Sequence, residues 1–492
     1  MNLSELLLAG EYIGISDTSV EFSFICHDTR KARDGCLFVA LPGKKHDPLF
    51  HLKESGVHPA AIIAKQGASQ SLSFSCPILF VASPHKTLAL LWSRISGSPE
   101  KSMRFYGVTG TAGKSSTAEM LYFALKKSGR SVGLIGTVHC YADGCEYKEL
   151  DGTATMTTPE PDTLYPLLRD MKDRGITDVV LEVSSQALAQ ERCAPITFDI
   201  GIFTNLSPEH LDYHETMENY FRAKASLFER ANVAILNADD PSAERLKKLC
   251  RGKTVEAGIV TDGDYRAVSP FAGTSVAYTW VSRNFSCRIK LPLPGIFTVS
   301  NSLLAATAAV EAGVSPLTVK EAFAEMRMIS GRMEKLDTKD FSVGYDVIID
   351  YAHTPEALRK LLESAKPLAK RRLILVFGCG GDRDRSKRAP MGRIASKYAD
   401  VIFVTADNSR SEATDDILAS ILVGISSDSV CRVIPDRKDA IEAALDEAKE
   451  GDLVLLAGKG HETYEIRGNL LFPFDERKIV YSYLAKKGDT PQ

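Results

Sequence analysis

The chain has no CxxC pair, no long apolar run and no excess of charge of either sign. Its ten cysteines, spread from Cys26 to Cys431, lack the spacing of a zinc site. In 492 residues they are too sparse for a disulfide-stapled domain and read as reduced thiols. No stretch approaches the roughly 18 apolar residues of a membrane span. The short run Leu6-Leu7-Leu8 has neither the basic flank nor the length of a secretory signal. A net charge of −3 provides no basic field to gather nucleic acid or an anionic membrane. Internal repeats and low-complexity segments are missing too. These absences lead us to expect a cytoplasmic chain, monomeric, whose partners are small molecules and include neither nucleic acid nor membrane.

What is present fits a soluble enzyme. Charged residues make up 25% and hydrophobic residues 44%, ordinary values for a globular chain. The length calls for more than one core, and about three domains are expected. Residues 1–98 mix strand-like runs at 36–41, 60–64 and 78–82 with helical segments, and a polar, turn-rich stretch follows at 96–102. Between 99 and 335, β-branched runs at 132–138, 179–183, 200–204 and 233–237 alternate with helical stretches. That alternation predicts a parallel sheet covered on both faces. After a break near 331–340 it restarts, with runs at 347–351, 373–378, 401–405 and 453–457. Residues 336–492 are therefore predicted to form a doubly wound, Rossmann-like domain, and the fold class is α/β in three domains.

The chemistry begins at GVTGTAGKSST, residues 107–117. An apolar strand-like run feeds the turn Gly110-Thr111-Ala112-Gly113, and Lys114, Ser115 and Ser116 open a helical pattern. Small residues let backbone N–H groups approach a phosphate chain, the helix terminus adds partial positive charge and the lysine a full one. A hydroxyl after the lysine can ligate the magnesium that accompanies ATP. Val108 replaces the first glycine of the general phosphate-loop pattern.

Polar clusters fall at the carboxyl ends of predicted strands, where ligands of parallel sheets bind. Glu182 ends one such strand; it is either a rim carboxylate bonded to the next turn or a magnesium ligand. Lys224 shares a helix face with Tyr220, Phe221 and Phe228. There it snorkels, pairs with an acid, or has a lowered pKa that would let the amine take up carbon dioxide as a carbamate. Spacing alone favours snorkelling. In the last domain, GCGGDRDR at 378–385, DNSR at 407–410 and GKGHE at 458–462 lie at one end of the predicted sheet and together suit an anionic ligand. His27-Asp28-Thr29-Arg30 and Lys44-Lys45-His46 could be surface turns as easily as a site.

With MTTP at 156–159, EVSSQALAQER at 182–192, TNLSPEHLDYH at 204–214, GRME at 331–334 and DYAHTP at 350–355 added, the whole chain resembles the Mur ligases. The likeness is strongest to the member that adds meso-diaminopimelate to UDP-N-acetylmuramoyl-L-alanyl-D-glutamate in peptidoglycan synthesis. The resemblance implies that Gly110, Thr111, Ala112, Gly113, Lys114, Ser115 and Ser116 cradle ATP, completed by Asn301, Arg332, Asp350 and His353. It implies Mg2+ on Ser115, Glu182, His210 and a carbamylated Lys224. His27, Thr29, Lys44, Lys45 and His46 would hold the uridine nucleotide, and Thr157, Thr158, Ser184, Gln190 and Arg192 the muramoyl-dipeptide. Arg383, Asp407, Asn408, Ser409, Arg410, Gly458 and Glu462 would receive the amino acid.

The chain departs from the family pattern at Ala112 (commonly asparagine), Ser115-Ser116 (threonines), Thr29 (serine), Gln186 (histidine) and Ser409 (proline). Arg410 is expected to select the distal carboxylate of the diamino acid; the alternative is a structural bridge to Glu412 or Asp407. Two other functions compete: a ligase adding L-lysine or extending folate, and, in another class, a phosphate-loop nucleotide switch that makes no covalent product.

Overall fold

The computed structural model describes residues 1–7, 11–13, 19–43, 47–68, 73–147, 156–341 and 343–488. Three large sheets follow one another along the chain, and a two-stranded ribbon, Tyr464–Arg467 with Leu470–Pro473, follows the last of them. The first has four parallel strands, Ile25–Cys26, Leu37–Val39, Ala61–Lys65 and Ile78–Val81, in sequence order. Its strands are apolar on both faces, and a cluster packs on each: Leu37, Val39 and Ile63 on one, Phe38, Ile62 and Ala64 on the other.

The central sheet has eleven strands. Arg104–Thr109 sits in its middle, paired in parallel with Phe198–Phe203 on one side and Asp178–Glu182 on the other. Ala231–Asn237, Lys253–Gly258 and Val132–Ile135 continue the parallel core. Both ends depart from the all-parallel expectation. Tyr265–Ala272, Val276–Ser282 and Ser286–Leu291 add an antiparallel meander at one edge, and Cys140–Ala142 with Cys145–Glu146 do so at the other. The meander buries one face only: Tyr278, Trp280, Ile289 and Leu291 point into the core while Arg288 and Lys290 face solvent, the period-two pattern of a half-covered sheet. Helix Ile296–Glu311 packs against this meander and against helix Lys114–Lys127.

The third sheet runs Glu334–Lys335, Asp346–Asp350, Leu453–Ala457, Leu373–Phe377, Val401–Val404 and Cys431–Val433; it is parallel apart from its first strand. Helices cover both faces. Thr354 caps helix Pro355–Ala365 by accepting the Ala357 N–H, with proline at the first turn. The loop after Asp346–Asp350 reaches the central domain, where His353 lies 3.5 Å from Glu209.

Candidate active site

The strand Arg104–Thr109 delivers the phosphate loop, and two glycines shape it. Gly110 has φ +150° and Gly113 φ +85°. A Cβ on Gly110 would meet the Thr204 hydroxyl, and one on Gly113 the Asn301 amide. Both positions thus require the missing side chain as well as the backbone freedom. Asn205 and Thr204 fasten the loop at the Ala112 backbone. Asn205 accepts the Ala112 N–H at 3.0 Å and donates to the Ala112 carbonyl at 2.9 Å, and Thr204 donates to the same carbonyl at 2.6 Å. Thr204 and Asn205 carry no role in the sequence reading beyond their place at a strand end.

Lys114 curls over the loop and donates to the carbonyls of Gly110 (3.0 Å) and Thr111 (2.9 Å). Burial lowers its pKa, opposed by Glu209 and Glu182. Ser115 donates to Glu182 at 3.0 Å and accepts from Arg332 at 3.1 Å. Glu182, buried at the end of its strand, also accepts the Thr137 N–H (2.9 Å) and hydroxyl (3.2 Å). Arg332 lies over the Tyr351 ring, 4.8 Å from its centroid. Asp350 accepts the N–H groups of Met333 (2.7 Å) and Ala352 (2.8 Å), so it braces the segment carrying Arg332. Burial raises its pKa, against the pull of Arg332 and those two N–H groups.

Lys224 does not snorkel. It is 2% exposed, and its Nζ donates to the Gly110 carbonyl at 2.8 Å while lying 4.5 Å from the Tyr220 ring centroid. Burial first, then the charge of Lys114, drives its pKa well below the ordinary lysine value. His210, in the left-handed conformation at φ 56°, sits 3.8 Å from Glu209. No hydrogen bond joins it to Ser115 or Glu182; burial lowers its pKa, with the charges of Lys114 and Lys224 acting in the same direction and Glu209 opposing them.

Glu209, unassigned in the sequence reading, joins these groups to the last domain. His353 Nε2 lies 3.5 Å from its carboxylate. Burial alone would raise the Glu209 pKa, but His353, His210 and Lys114 outweigh it and hold the carboxyl at about 2.

Among the residues expected at the muramoyl-dipeptide, most polar atoms are engaged within the protein. Thr158 donates to the Glu182 carbonyl (2.8 Å) and accepts the Ser184 N–H (3.0 Å). Ser184 caps the short helix Ser185–Ala189. Arg192 donates to Gln190 (2.6 Å) and pairs with Glu160 (2.6 Å). Thr157 accepts from the Thr137 hydroxyl at 3.0 Å.

In the first domain a cavity of about 580 Å³ opens at the ends of Leu37–Val39 and Ala61–Lys65, lined by Pro42, Gly43, Asp47, Lys65 and Gln66 among others. His27 and Thr29 are not among its lining residues. Lys44, Lys45 and His46 lie outside the described residues.

At the end of the third sheet, Arg410 takes the left-handed conformation, φ 50°. Its guanidinium donates to the carbonyls of Gly381 (2.9 Å) and Asn408 (3.3 Å). The bridge to Glu412 or Asp407 is not formed: Glu412 is held by Arg385 and Arg388. Arg383 donates to the Asp382 carbonyl, and neither Arg383 nor Arg410 makes an ion pair among the described residues. Burial and the neighbouring Arg383 lower the Arg410 pKa. Ser409 is buried. Asn408 donates to Glu462 at 2.9 Å, and the wholly buried Lys459 lies 3.5 Å from both Asp407 and Glu462. Burial would raise Asp407, but Lys459 and Arg437 bring it below the ordinary range; burial and Asp407 raise Glu462.

A glycine-rich loop followed by a lysine in one α/β domain is met by Arg332 and by His353, and the following α/β domain carries Arg383 and Arg410 without carboxylate partners among the described residues. Residues 108–309 match the Mur ligase middle domain and residues 331–460 the glutamate ligase domain of Mur ligases. The chain belongs to the Mur ligase family. It is 37% identical to the UDP-N-acetylmuramoyl-L-alanyl-D-glutamate--2,6-diaminopimelate ligase of Clostridium botulinum, covering 98% of this chain and 99% of that protein. To the ligase of the same name from Geobacillus kaustophilus it is 38% identical, over 94% of each. A solved structure of a UDP-N-acetylmuramoyl-L-alanyl-D-glutamate--2,6-diaminopimelate ligase superposes with a TM-score of 0.66 at 27% identity, covering 100% of both chains. The MurF ligase of Thermotoga maritima in complex with ADP shares the fold, with a TM-score of 0.58 at 18% identity over 95% of this chain and 96% of that one.

Proposed function

We propose that the chain is the ATP- and magnesium-dependent ligase that joins meso-diaminopimelate to the D-glutamate of UDP-N-acetylmuramoyl-L-alanyl-D-glutamate, in the cytoplasm and in peptidoglycan synthesis. In this reading residues 1–98 bind the uridine nucleotide, 99–335 bind ATP and 336–492 bind the amino acid. The observation that carries it is the pair Arg383 and Arg410: two guanidiniums beyond the ends of the adjacent strands Leu373–Phe377 and Val401–Val404, without a carboxylate partner among the described residues, as a substrate carboxylate requires. The full-length likeness to ligases named for 2,6-diaminopimelate supports the same substrate.

The donor set suits magnesium. Ser115 and Glu182 are oxygen donors 3.0 Å apart, and among the described residues no cluster of three or more His, Cys, Asp or Glu side chains forms a complete cage. Magnesium keeps water and phosphate oxygens in its shell and needs no such cage. Ser115, Glu182, His210 and Lys224 as a carbamate would hold it, and it would supply positive charge against the phosphoryl oxygens.

The D-glutamate γ-carboxylate attacks the γ-phosphorus of ATP, the bond to the ADP oxygen breaks, and an acyl phosphate forms. Lys114 and the loop N–H groups carry the charge that gathers on the transferring group. The amine of the diamino acid then attacks the acyl carbon and loses a proton as phosphate leaves. Arg383 and Arg410 anchor the far carboxylate, so the amine is presented in one orientation. Closure of the last domain through His353 on Glu209 keeps water from the acyl phosphate.

The test is ADP release with each substrate omitted in turn. A ligase stays nearly silent until the UDP-dipeptide and the amino acid are both present. Equal release without either one would make the protein a simple nucleotidase or switch.

A further inference from the structure

The strands Val401–Val404 and Leu453–Ala457 lead into the loops Asp407–Arg410 and Gly458–Glu462, and one buried guanidinium lies behind both. Arg437 opens helix Arg437–Glu447 and is 1% exposed. It donates through Nη1 to the Ala406 carbonyl (3.3 Å) and through Nη2 to the Ala457 carbonyl (2.8 Å). Those residues immediately precede Asp407 and Gly458. Its Nε donates to Glu476 Oε1 at 2.9 Å, and Glu476, the first residue of the last helix, is wholly buried. The next residue, Arg477, reaches the other way. It donates to the Gly460 carbonyl (3.1 Å), the Ser330 hydroxyl (2.8 Å) and Glu334 (3.0 Å), beside the segment that carries Arg332.

We propose that the Arg437–Glu476 pair is a positioning device for the incoming diamino acid, setting the spacing between the 407–410 and 458–462 loops. The inference rests on the reading of those loops as the amino-acid site. Stability alone is a poor reason for the pair, because desolvation cancels much of the attraction and apolar residues of similar volume often pack as well. A planar fork bonded to two strand-end carbonyls provides direction, which apolar packing does not. Direction matters here, since a displacement of about 1 Å in a reacting site can cost on the order of 10²-fold.

The experiment measures KM for each of the three substrates on the full chain carrying Glu476→Gln, Arg437→Lys, or Arg437→Met together with Glu476→Met. The double variant removes both charges of the pair together and leaves Asp407 with Lys459 3.5 Å away, so it tests the role with little of that cost. Its KM for meso-diaminopimelate is expected to rise about tenfold or more, with KM for ATP and for the UDP-dipeptide within about twofold of wild type. Arg437→Lys keeps the charge without the fork and is expected to fall between. An unchanged amino-acid KM in the double variant overturns the inference. A parallel rise in all three KM values, or failure of the double variant to fold, also overturns it by marking the pair as purely structural. If the wild type itself turns over no diamino acid, the reading of the amino-acid site falls first and takes this inference with it.

Discussion

Lys114 and Lys224 aim their ammonium groups at one atom, the Gly110 carbonyl oxygen, at 3.0 and 2.8 Å. Two cations on one acceptor repel, and the deeper one is the easier to neutralise. Lys224 is that one, since burial and Lys114 both lower its pKa and only Glu209 opposes them. A lowered pKa means more free amine at a given pH, which is the form that takes up carbon dioxide.

Lys224→Ala is therefore expected to lose about 10²-fold or more in kcat, and added formate or acetate to restore part of it by standing in for the carbamate. The check is kcat with and without the short carboxylate. A variant with wild-type turnover would remove Lys224 from the mechanism.

Lys114→Ala should cut kcat by about 10²–10³-fold while leaving the thermal midpoint within a few degrees, because its charge serves phosphates and not the core. Calorimetry beside the ADP assay separates the two effects. Loss of folding would show that the bonds from Lys114 to the loop carbonyls hold the structure.

Arg410→Ala should erase the preference for meso-diaminopimelate over L-lysine. Removing one partner of a desolvated charge pair costs on the order of 2–5 kcal/mol. With Arg410 held by the Gly381 and Asn408 carbonyls and by no carboxylate among the described residues, little of that cost comes from a lost internal bridge. The measurement is kcat/KM for both amino acids on wild type and variant. A wild type that uses L-lysine equally well contradicts the assignment.

Glu119, buried on the phosphate-loop helix, gives a stability test that does not involve substrates. Burial, with the charges of Glu182 and Glu146, raises its carboxyl from 4.5 to about 8. A raised carboxyl adds stability that is fully present below pH 4.5 and is lost as pH climbs to about 8. Glu119→Gln removes that dependence. Its thermal midpoint should exceed the wild type's by a margin that grows from pH 5 to pH 8, worth on the order of 2–4 kcal/mol at the upper end. A margin that stays constant across this range would contradict the raised carboxyl.

Where a feature is local, the sequence reading reaches it. The β-branched runs at 179–183, 200–204 and 233–237 all fall on parallel strands, and the loop at 110–116 has its expected shape. The antiparallel meander escaped because Thr279, Arg288 and Lys290 interrupt the apolar residues Tyr278, Trp280, Ile289 and Leu291. Glu209, Asn205 and Lys459 take their meaning from partners far along the chain: His353, Ala112 and Asp407. The motifs around them mark the place, but nothing near them in the chain shows which partner each one takes. Spacing alone points Lys224 toward solvent for the same reason, since the carbonyl that accepts its hydrogen bond belongs to residue 110.

The bonds from Thr204 and Asn205 to Ala112 have a consequence for how the nucleotide arrives. A glycine-rich loop left to itself samples many conformations, and ordering each residue costs about 1–2 kcal/mol of entropy. Here the neighbouring strand end has already withdrawn that freedom by fastening the middle of the loop at both its N–H and its carbonyl. A nucleotide docking there would find the middle of the loop already fastened, so little of its binding energy would go into ordering it.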